Sequence, residues 1–541
     1  MKTYLSVVLH AHLPFIRHPE HAYHLEEMWF YEAMHETYLP LLQALDRLEA
    51  DGVEGKVTLS LSAPLIAMMA DGLLRERFVA QLERMRDLAR AERAHGERPQ
   101  GARELSDYYE ARFEGLRTYY LDELGGDVLA RFKHHAQGHR LELMTCVGTH
   151  PILPFLESDA GRRAQIRAGI AEFEQHLGFR PRGIWIAECA FAPGIDRLLA
   201  EEGIAFACLE DVGILTADAP PVYGTYSPLV SPAGVAFFGR DQLASAQVWS
   251  ASEGYPGDYD YREFYRDLGY DLPMEVVAPY IHPDGIRHHT GLKYHRITGD
   301  VDLGDKDFYR PEVAARRARE HASHFVHARR DQGRDLFEKL GQRPAHLTCS
   351  YDAELFGHWW FEGPLFLEAV LREATHHEEL QLVSPLDYLA EEPVQQQATP
   401  GISTWGEESY FGVWLDPSNA WIYRHLRNAE ARMLELVEDV ERGGPGEDPN
   451  LGRALRLMGQ QLLLAQASDW AFIMKTGTTV EYAHRRQAGH LEHVEALAEM
   501  IASRAVDIEL LDALEARYPI FGTLDAAWWR DEAKVALSVG S

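Results

Sequence analysis

Short apolar runs of strand type recur through the first part of the chain, at residues 5–9, 57–61, 141–146, 183–187, 204–209, 235–238 and 345–350. Each is four to six residues long and breaks off into polar or acidic residues at its carboxyl end. Runs of that length with such punctuation read as buried strands. Helix-forming stretches such as 162–177 and 194–202 lie between them, and strands alternating with helices imply parallel β/α units. Seven runs are clear and residues 380–383 offer one more, so the pattern leaves seven or eight strands open.

Elsewhere the period is helical. Residues 26–48 carry Trp29 near the start and the apolar stripe Tyr38, Leu41, Leu42, Leu45 and Leu48. Residues 71–94 and 105–135 are long, charged and helix-forming, separated by a Gly- and Pro-containing break at 96–101, and read as an insertion between the second and third strands. Residues 246–310 are rich in Gly, Pro and Tyr and read as a lid or cleft wall, whose His282, His288, His289 and His295 lack metal-ligand spacing and are taken as polar surface. Residues 391–400 look like a linker. Beyond it, 418–442, 451–467, 478–505 and 508–518 have 3.6-period apolar faces, with a loop at 443–450, so the C-terminal part is expected to be helical.

Charge narrows the partners. The 541 residues hold 84 Asp and Glu against 53 Lys and Arg, a formal charge of -31 that repels phosphate backbones and anionic lipid. Neither nucleic acid nor a membrane surface is an expected partner, whereas a neutral substrate is compatible. Cys146, Cys189, Cys208 and Cys349 form no CxxC pair and each ends an apolar run, which fits buried thiols in a reducing compartment. With no apolar span of membrane length and no signal-type segment, a cytoplasmic location is expected.

The chemistry gathers at the run ends. Glu188 ends the fourth run, where an ionised carboxylate must be paired, hydrogen-bonded or put to use. Asp352, followed by Glu354, ends the seventh. His10 and His12 exit the first run two residues apart and so project to one side. His150 leaves the third, and Arg240 the sixth. Two histidines without an HExxH sequence or a third clear ligand favour substrate contact over metal binding. Trp359, Trp360, Trp405, Trp414 and Trp470 suggest stacking on sugar rings, with domain packing as the alternative for any single one. Paired carboxylates with aromatic walls fit glycosidic bond cleavage.

The motifs His10-Ala11-His12-Leu13-Pro14-Phe15, Thr149-His150-Pro151, Ile186-Ala187-Glu188-Cys189-Ala190-Phe191, Tyr351-Asp352-Ala353-Glu354-Leu355-Phe356-Gly357-His358-Trp359-Trp360 and Ser468-Asp469-Trp470 occur in the order seen in glycoside hydrolase family 57. The chain resembles that family over nearly its whole length, and within it the 1,4-α-glucan branching enzymes. The resemblance implies a (β/α)7 barrel over 1–70 and 136–394, a helical insertion over 71–135 and an α-helical C-terminal domain over 395–541. It implies Glu188 as nucleophile and Asp352 as general acid/base, with Glu354 the second choice. His10, His12 and His150 match residues around the sugar next to the cut bond. Trp29, Trp360, Trp405, Trp414, Asp469 and Trp470 match positions lining the cleft, and Arg240 joins the substrate-binding set. An α-1,4-glucan would serve as donor and acceptor, with no cofactor and no metal. Such enzymes also carry a tyrosine on a mobile loop, whereas here Tyr223 and Tyr226 come early in 223–249 and Phe237-Phe238 fills the later part. The rival readings are a 4-α-glucanotransferase or α-amylase on the same scaffold, a metal-dependent sugar deacetylase or mannosidase using His10, His12 and an aspartate, and a non-catalytic glucan-binding scaffold.

Overall fold

A computed structural model of the chain describes residues 2–96, 99–250, 254–442 and 449–530. The loop expected at 443–450 falls outside them as far as residue 448. Among the described residues ten strands are present: β1 (Thr3–Ala11), β2 (Val57–Leu61), β3 (Leu141–Cys146), β4 (Gly183–Trp185), β5 (Phe206–Leu209), β6 (Leu229–Val230), β7 (Ala236–Gly239), β8 (His346–Asp352), β9 (Leu380–Leu382) and β10 (Gln396–Gln397).

Seven of them, the seven clear runs of the sequence, lie side by side in the order β7-β5-β4-β3-β2-β1-β8, every neighbouring pair parallel. The ends of this sheet meet. Arg240, just past β7, bridges Thr348 of β8 in parallel, and Asp241 N donates to Thr348 O at 2.8 Å. The sheet is therefore a closed seven-stranded barrel with all strand ends of one kind at one rim. All nine residues of β1 are buried, as a stave covered on both faces requires. The eighth candidate is real but stands outside the ring: β9 pairs only Thr3–Leu5, on the side of β1 that β2 occupies further along.

Three expectations change. The supposed linker is partly strand: β10 pairs β6, which forms an antiparallel hairpin with β7, and Gly401 N donates to Gly213 O at 2.8 Å, so this stretch is stitched onto the barrel. The long N-terminal helix is interrupted, running as Glu27–Ala33, a π-helical turn Met34–Tyr38 and Leu39–Ala50. His295 is buried against Phe308 rather than on the surface, and burial holds its imidazole down at about 4, neutral.

The segment beginning at residue 254 is a packed wall. It rests on the helices Gly72–Ala94 and Gln100–Thr118: the Tyr109 and Tyr294 rings stack at 5.6 Å and the Tyr109 hydroxyl donates to Lys293 O at 2.8 Å. The C-terminal part is helical, Trp421–Arg442, Pro449–Ala465, Ser468–Thr476, Val480–Ser503 and Ile508–Arg517, and the short third helix is one that periodicity merged into a connection. Among the described residues no helix is long and apolar enough to cross a membrane, and the four cysteines are free and buried.

Helix Asp159–Leu177 approaches β3 so closely that a Cβ on Gly169 would lie 2.0 Å from Cys146 O, a contact no side chain can make without moving backbone. Gly169→Ala should lower the thermal midpoint, overpacking costing about 1–3 kcal/mol. Gly489→Ala, in helix Val480–Ser503 with open space around it, should raise the midpoint or leave it unchanged. Calorimetric melts of the two variants check the opposite signs.

Candidate active site

The β1–β2 register builds the floor of the site. Because His10 pairs Ser60 in the parallel ladder and side chains alternate, the next pair on the same face is His12 with Ser62. Each imidazole meets its serine: His10 Nδ1 is 3.3 Å from Ser60 Oγ and His12 Nδ1 2.9 Å from Ser62 Oγ. Trp185, the last residue of β4, stacks on His10 at 4.7 Å, and His12 stacks on His150 at 3.9 Å. His150 adopts a left-handed backbone (φ 65°), as does Glu188 (φ 58°). Such strain in non-glycine residues persists only where surrounding contacts enforce it, and it clusters at working sites.

Glu188 is held by the C-terminal part of the chain. Its Oε2 accepts the Trp405 indole N–H at 2.7 Å, and its Oε1 accepts the Ser468 hydroxyl at 3.3 Å and lies 3.7 Å from His150 Nδ1. The backbones interlock too, Trp405 N donating to Glu188 O and Ser468 N to His150 O, each at 2.9 Å. Burial, with the negative charges of Asp352 and Asp469 adding to it, pushes the Glu188 carboxyl up to about 8 despite these donors.

One chain of protons follows from the donors available. Ser468 has a single hydroxyl proton, and with that on Glu188 its oxygen must accept from His150 Nδ1–H, 2.9 Å away. Burial keeps both His10 and His150 well below the usual imidazole range, hence neutral. His150 Nε2 then carries a lone pair and accepts from His10 Nε2–H across 3.0 Å. His12 turns the other way and reaches Asp469 with Nε2 at 3.1 Å.

Asp352 is equipped differently. Among the described residues its carboxyl has no side-chain hydrogen-bond partner, and burial, opposed by the positive charge of Arg240, leaves it raised to about 6. Its loop is held from below: Glu354 accepts His12 N at 3.2 Å and the Tyr38 hydroxyl, and His358 Nδ1 meets Glu36 Oε2 at 2.9 Å. Glu36 and Tyr38 both come from the π-helical turn. Glu36 also pairs with the buried Arg262 guanidinium at 2.8 Å, which fastens the long wall to the same point. Burial and the Asp352 charge raise the Glu354 carboxyl to about 8, so it is an anchoring acid rather than an open one.

Of the residues singled out from the sequence, Glu188, Asp352, His10, His12, His150, Asp469, Trp405 and Arg240 converge on this rim. Arg240 sits 5.5 Å over the Trp405 ring and pairs with Glu210 at 3.1 Å. Three tryptophans do not line the opening. Trp360 is buried against Phe366 and Tyr261, Trp414 is buried beneath Gly406, and Trp470 is buried with its N–H given to Leu464 O at 2.9 Å. Indoles that large and apolar settle in core when a second layer covers them. Trp29 is half-buried, edge-on to Tyr482. Trp359 is the open member of its pair at 57% exposure, stacked on Phe264. Tyr223 and Tyr226 lie away from the rim, Tyr226 O accepting from His346 N at the start of β8 and Arg343 covering the Tyr223 ring. Sequence reasoning missed Ser60 and Ser62, although the alternation 58–62 opposite the histidines carried the signal, and it quoted Ser468 within its motif without giving it a role.

Two sets here have ligand-type atoms within 4.8 Å of one another, His10–Cys146–His150 and His12–His150–Asp469. Their nitrogens are already engaged: both Nδ1 of the first set by serines, its Nε2 atoms by each other, and His12 Nε2 by Asp469. Burial also keeps the Cys146 thiol protonated, far above its usual range. The donor set is thus spent on orienting the three imidazoles against one another, their serines and Asp469.

A closed parallel barrel with two unequal, partly buried carboxyls on its carboxyl rim defines a barrel enzyme of the glycan-acting class. Comparison with known proteins makes the assignment specific. Residues 6–400 match the family model of glycosyl hydrolase family 57, and residues 425–529 match that of the 1,4-alpha-glucan branching enzyme C-terminal region. A 1,4-alpha-glucan branching enzyme of Thermococcus kodakarensis is 32% identical over 96% of this chain and 77% of its own length. Among solved structures, an alpha-amylase of Thermotoga maritima superposes with a TM-score of 0.91 at 36% identity, covering 98% of this chain and 99% of its own. A branching enzyme of Pyrococcus horikoshii does so with 0.87 at 29%, covering 98% and 97%. The chain belongs to glycosyl hydrolase family 57.

The Ser468 contact predicts a pH effect. Removing a donor from the Glu188 carboxylate favours its protonated form, so Ser468→Ala should move the acidic limb of the kcat/KM profile upward by about one pH unit, the worth of one charge-assisted hydrogen bond. An unmoved limb would show that Ser468 does not govern this carboxyl. Stability should respond as well. The folded state holds the Glu188 proton to about 8 against a reference of 4.5, so ionising it costs stability between those values. Glu188→Gln should therefore melt higher than the parent, by a margin that grows from about pH 4.5 to about pH 8 and then levels off. A margin independent of pH would overturn this account.

Proposed function

We propose that the protein is a 1,4-α-glucan branching enzyme working by retaining double displacement, acting on glycogen-type glucans in the cytoplasm. The observation that carries the reading is the asymmetry of the two carboxyls. Glu188 is clamped by two hydrogen-bond donors that favour its charged form, whereas Asp352 has no side-chain hydrogen-bond partner among the described residues; burial raises the proton affinity of both, Glu188 to about 8 and Asp352 to about 6. A nucleophile needs the first environment and a general acid the second.

In this scheme Glu188 attacks the anomeric carbon of an α-1,4 link as Asp352 protonates the departing 4-oxygen, leaving a glycosyl ester on Glu188. Burial is the main cause of the raised Glu188 proton affinity, and a protonated Asp352 removes the repulsion that adds to it, so one proton suits the pair. Asp352, now ionised, takes the proton of an acceptor glucan's 6-hydroxyl, whose oxygen displaces Glu188 and forms the α-1,6 branch. His10, His12 and His150, their nitrogens held by Ser60, Ser62, Ser468, Asp469 and one another, form a fixed polar floor beneath the sugar next to the cut bond. Further support comes from the C-terminal match and from the name of the Thermococcus relative. Four free thiols fit a reducing cytoplasm.

The same carboxyls with water as acceptor give an α-amylase, and the name of the Thermotoga structure makes that the second reading. Incubation with amylose separates them. New α-1,6 linkages in excess of new reducing ends are expected, and reducing ends without branches would replace branching by hydrolysis. Glu188→Gln should lose at least ~1000-fold in turnover with its fold intact, since removing the attacking group leaves only binding and electrostatics. Near-parental activity would remove Glu188 from its role.

A further inference from the structure

Outside the barrel rim, a second group of metal-type ligands lies where two helices cross. His327 is on the helix Pro311–Lys339, which leads into β8, and Glu373 lies on the last turn of Gly363–Ala374, which leaves the Asp352 loop. His377 follows in the turn before β9, its N–H donating to Ala374 O at 3.1 Å. One ligand atom from each of the three lies within 4.8 Å of the others.

The His327 tautomer is already set for a metal. His327 Nδ1 donates to the carbonyl of Ser323, one turn back, at 2.7 Å, which leaves the Nε2 lone pair outward. An imidazole whose far nitrogen gives its proton to a backbone carbonyl is the usual orienting arrangement for a metal-bound histidine. The His327 and His377 rings meet edge to face, 5.0 Å apart at 79°. His377 Nε2 and Glu373 Oε1 are 3.4 Å apart, long for a hydrogen bond but close to the edge of a tetrahedron with metal–ligand bonds of ~2.0 Å, which is about 3.3 Å.

Charge separates this group from the remaining candidate. Glu49, His134 and His135 also come within reach of one another, but Arg140 pairs with Glu49 and Arg131 with the adjoining Asp46, so two guanidiniums already supply the positive charge. Glu373 pairs only with His376 and His377 among the described residues. Its charge is therefore available to a cation.

We propose that His327, Glu373 and His377 bind one divalent transition-metal ion of the zinc class. Two imidazoles and a carboxylate suit zinc and disfavour calcium or magnesium, which take oxygen-only shells. Water completes the coordination. The role is structural: the site is half-exposed and adjoins β9, whose first residue pairs Thr3 at the amino end of β1, the barrel end opposite the carboxyls. The ion staples the helix entering the Asp352 strand to the helix leaving its loop.

The test uses untagged full-length protein stripped with chelator and titrated with zinc chloride by calorimetry at pH 7.5. One ion per chain should bind and raise the thermal midpoint by several degrees. His327→Gln and His377→Gln should each weaken binding at least tenfold and abolish the thermal shift, with metal-free midpoints and turnover on amylose unchanged. Cobalt(II) in place of zinc should give a visible absorption band that both variants lose. Absence of a saturable one-to-one site overturns the proposal, as does a site that survives the double variant. Loss of the tight site in Asp469→Asn would move the ion to the cleft and overturn it equally.

Discussion

The burial of the Glu188 carboxyl at the end of β4 is the constraint to which the rest of the molecule answers. A carboxylate removed from water needs donors, and the barrel rim supplies none of the two it has: Trp405 and Ser468 both come from beyond the last barrel helix. The helical part is accordingly the other wall of the site. The main-chain bonds from Trp405 N to Glu188 O and from Ser468 N to His150 O fix that wall to within a hydrogen bond's tolerance. Proton affinity, which decides whether Glu188 can attack, is raised by burial and held in check by contacts that cross between the two parts.

The opposite carboxyl is positioned by another device. The π-helical turn Met34–Tyr38 presents Glu36 and Tyr38 toward the Asp352 loop, and the loop answers with His358 and Glu354. Gly357 completes the fit, since with φ 125° it lies where a Cβ would be 2.0 Å from Glu36 O. Wide turns of this kind occur mostly as single insertions at working sites. Here the insertion lets one helix hold the acid loop from beneath and, through the Arg262 pair, the long aromatic wall beside it.

Much of this was legible in the residues. All seven barrel strands are read from their apolar runs, because a stave buried on both faces has no choice but to be apolar. The strand-end acids and histidines are read by the same logic, a polar residue after such a run being conspicuous. What pattern could not supply was depth. Trp360, Trp414 and Trp470 look like Trp405 in sequence, yet only Trp405 has its N–H turned to a carboxylate, because a covering helix is a tertiary fact. Serine is silent for the opposite reason: Ser468 stands in a quoted motif, but so common a residue has no role until His150 and Glu188 appear on either side of it. The polar stretch before Thr399 read as linker because a two-residue strand against a hairpin leaves no period to detect.

That stretch carries a consequence for how such a chain is inherited. With β10 sewn to the β6 hairpin, and Ser468, Asp469 and Trp405 completing a rim they do not belong to by sequence, the junction is no place for recombination. Exchange of the helical half for one from a distant ancestor would have to deliver a serine, an aspartate and an indole to three fixed points at once.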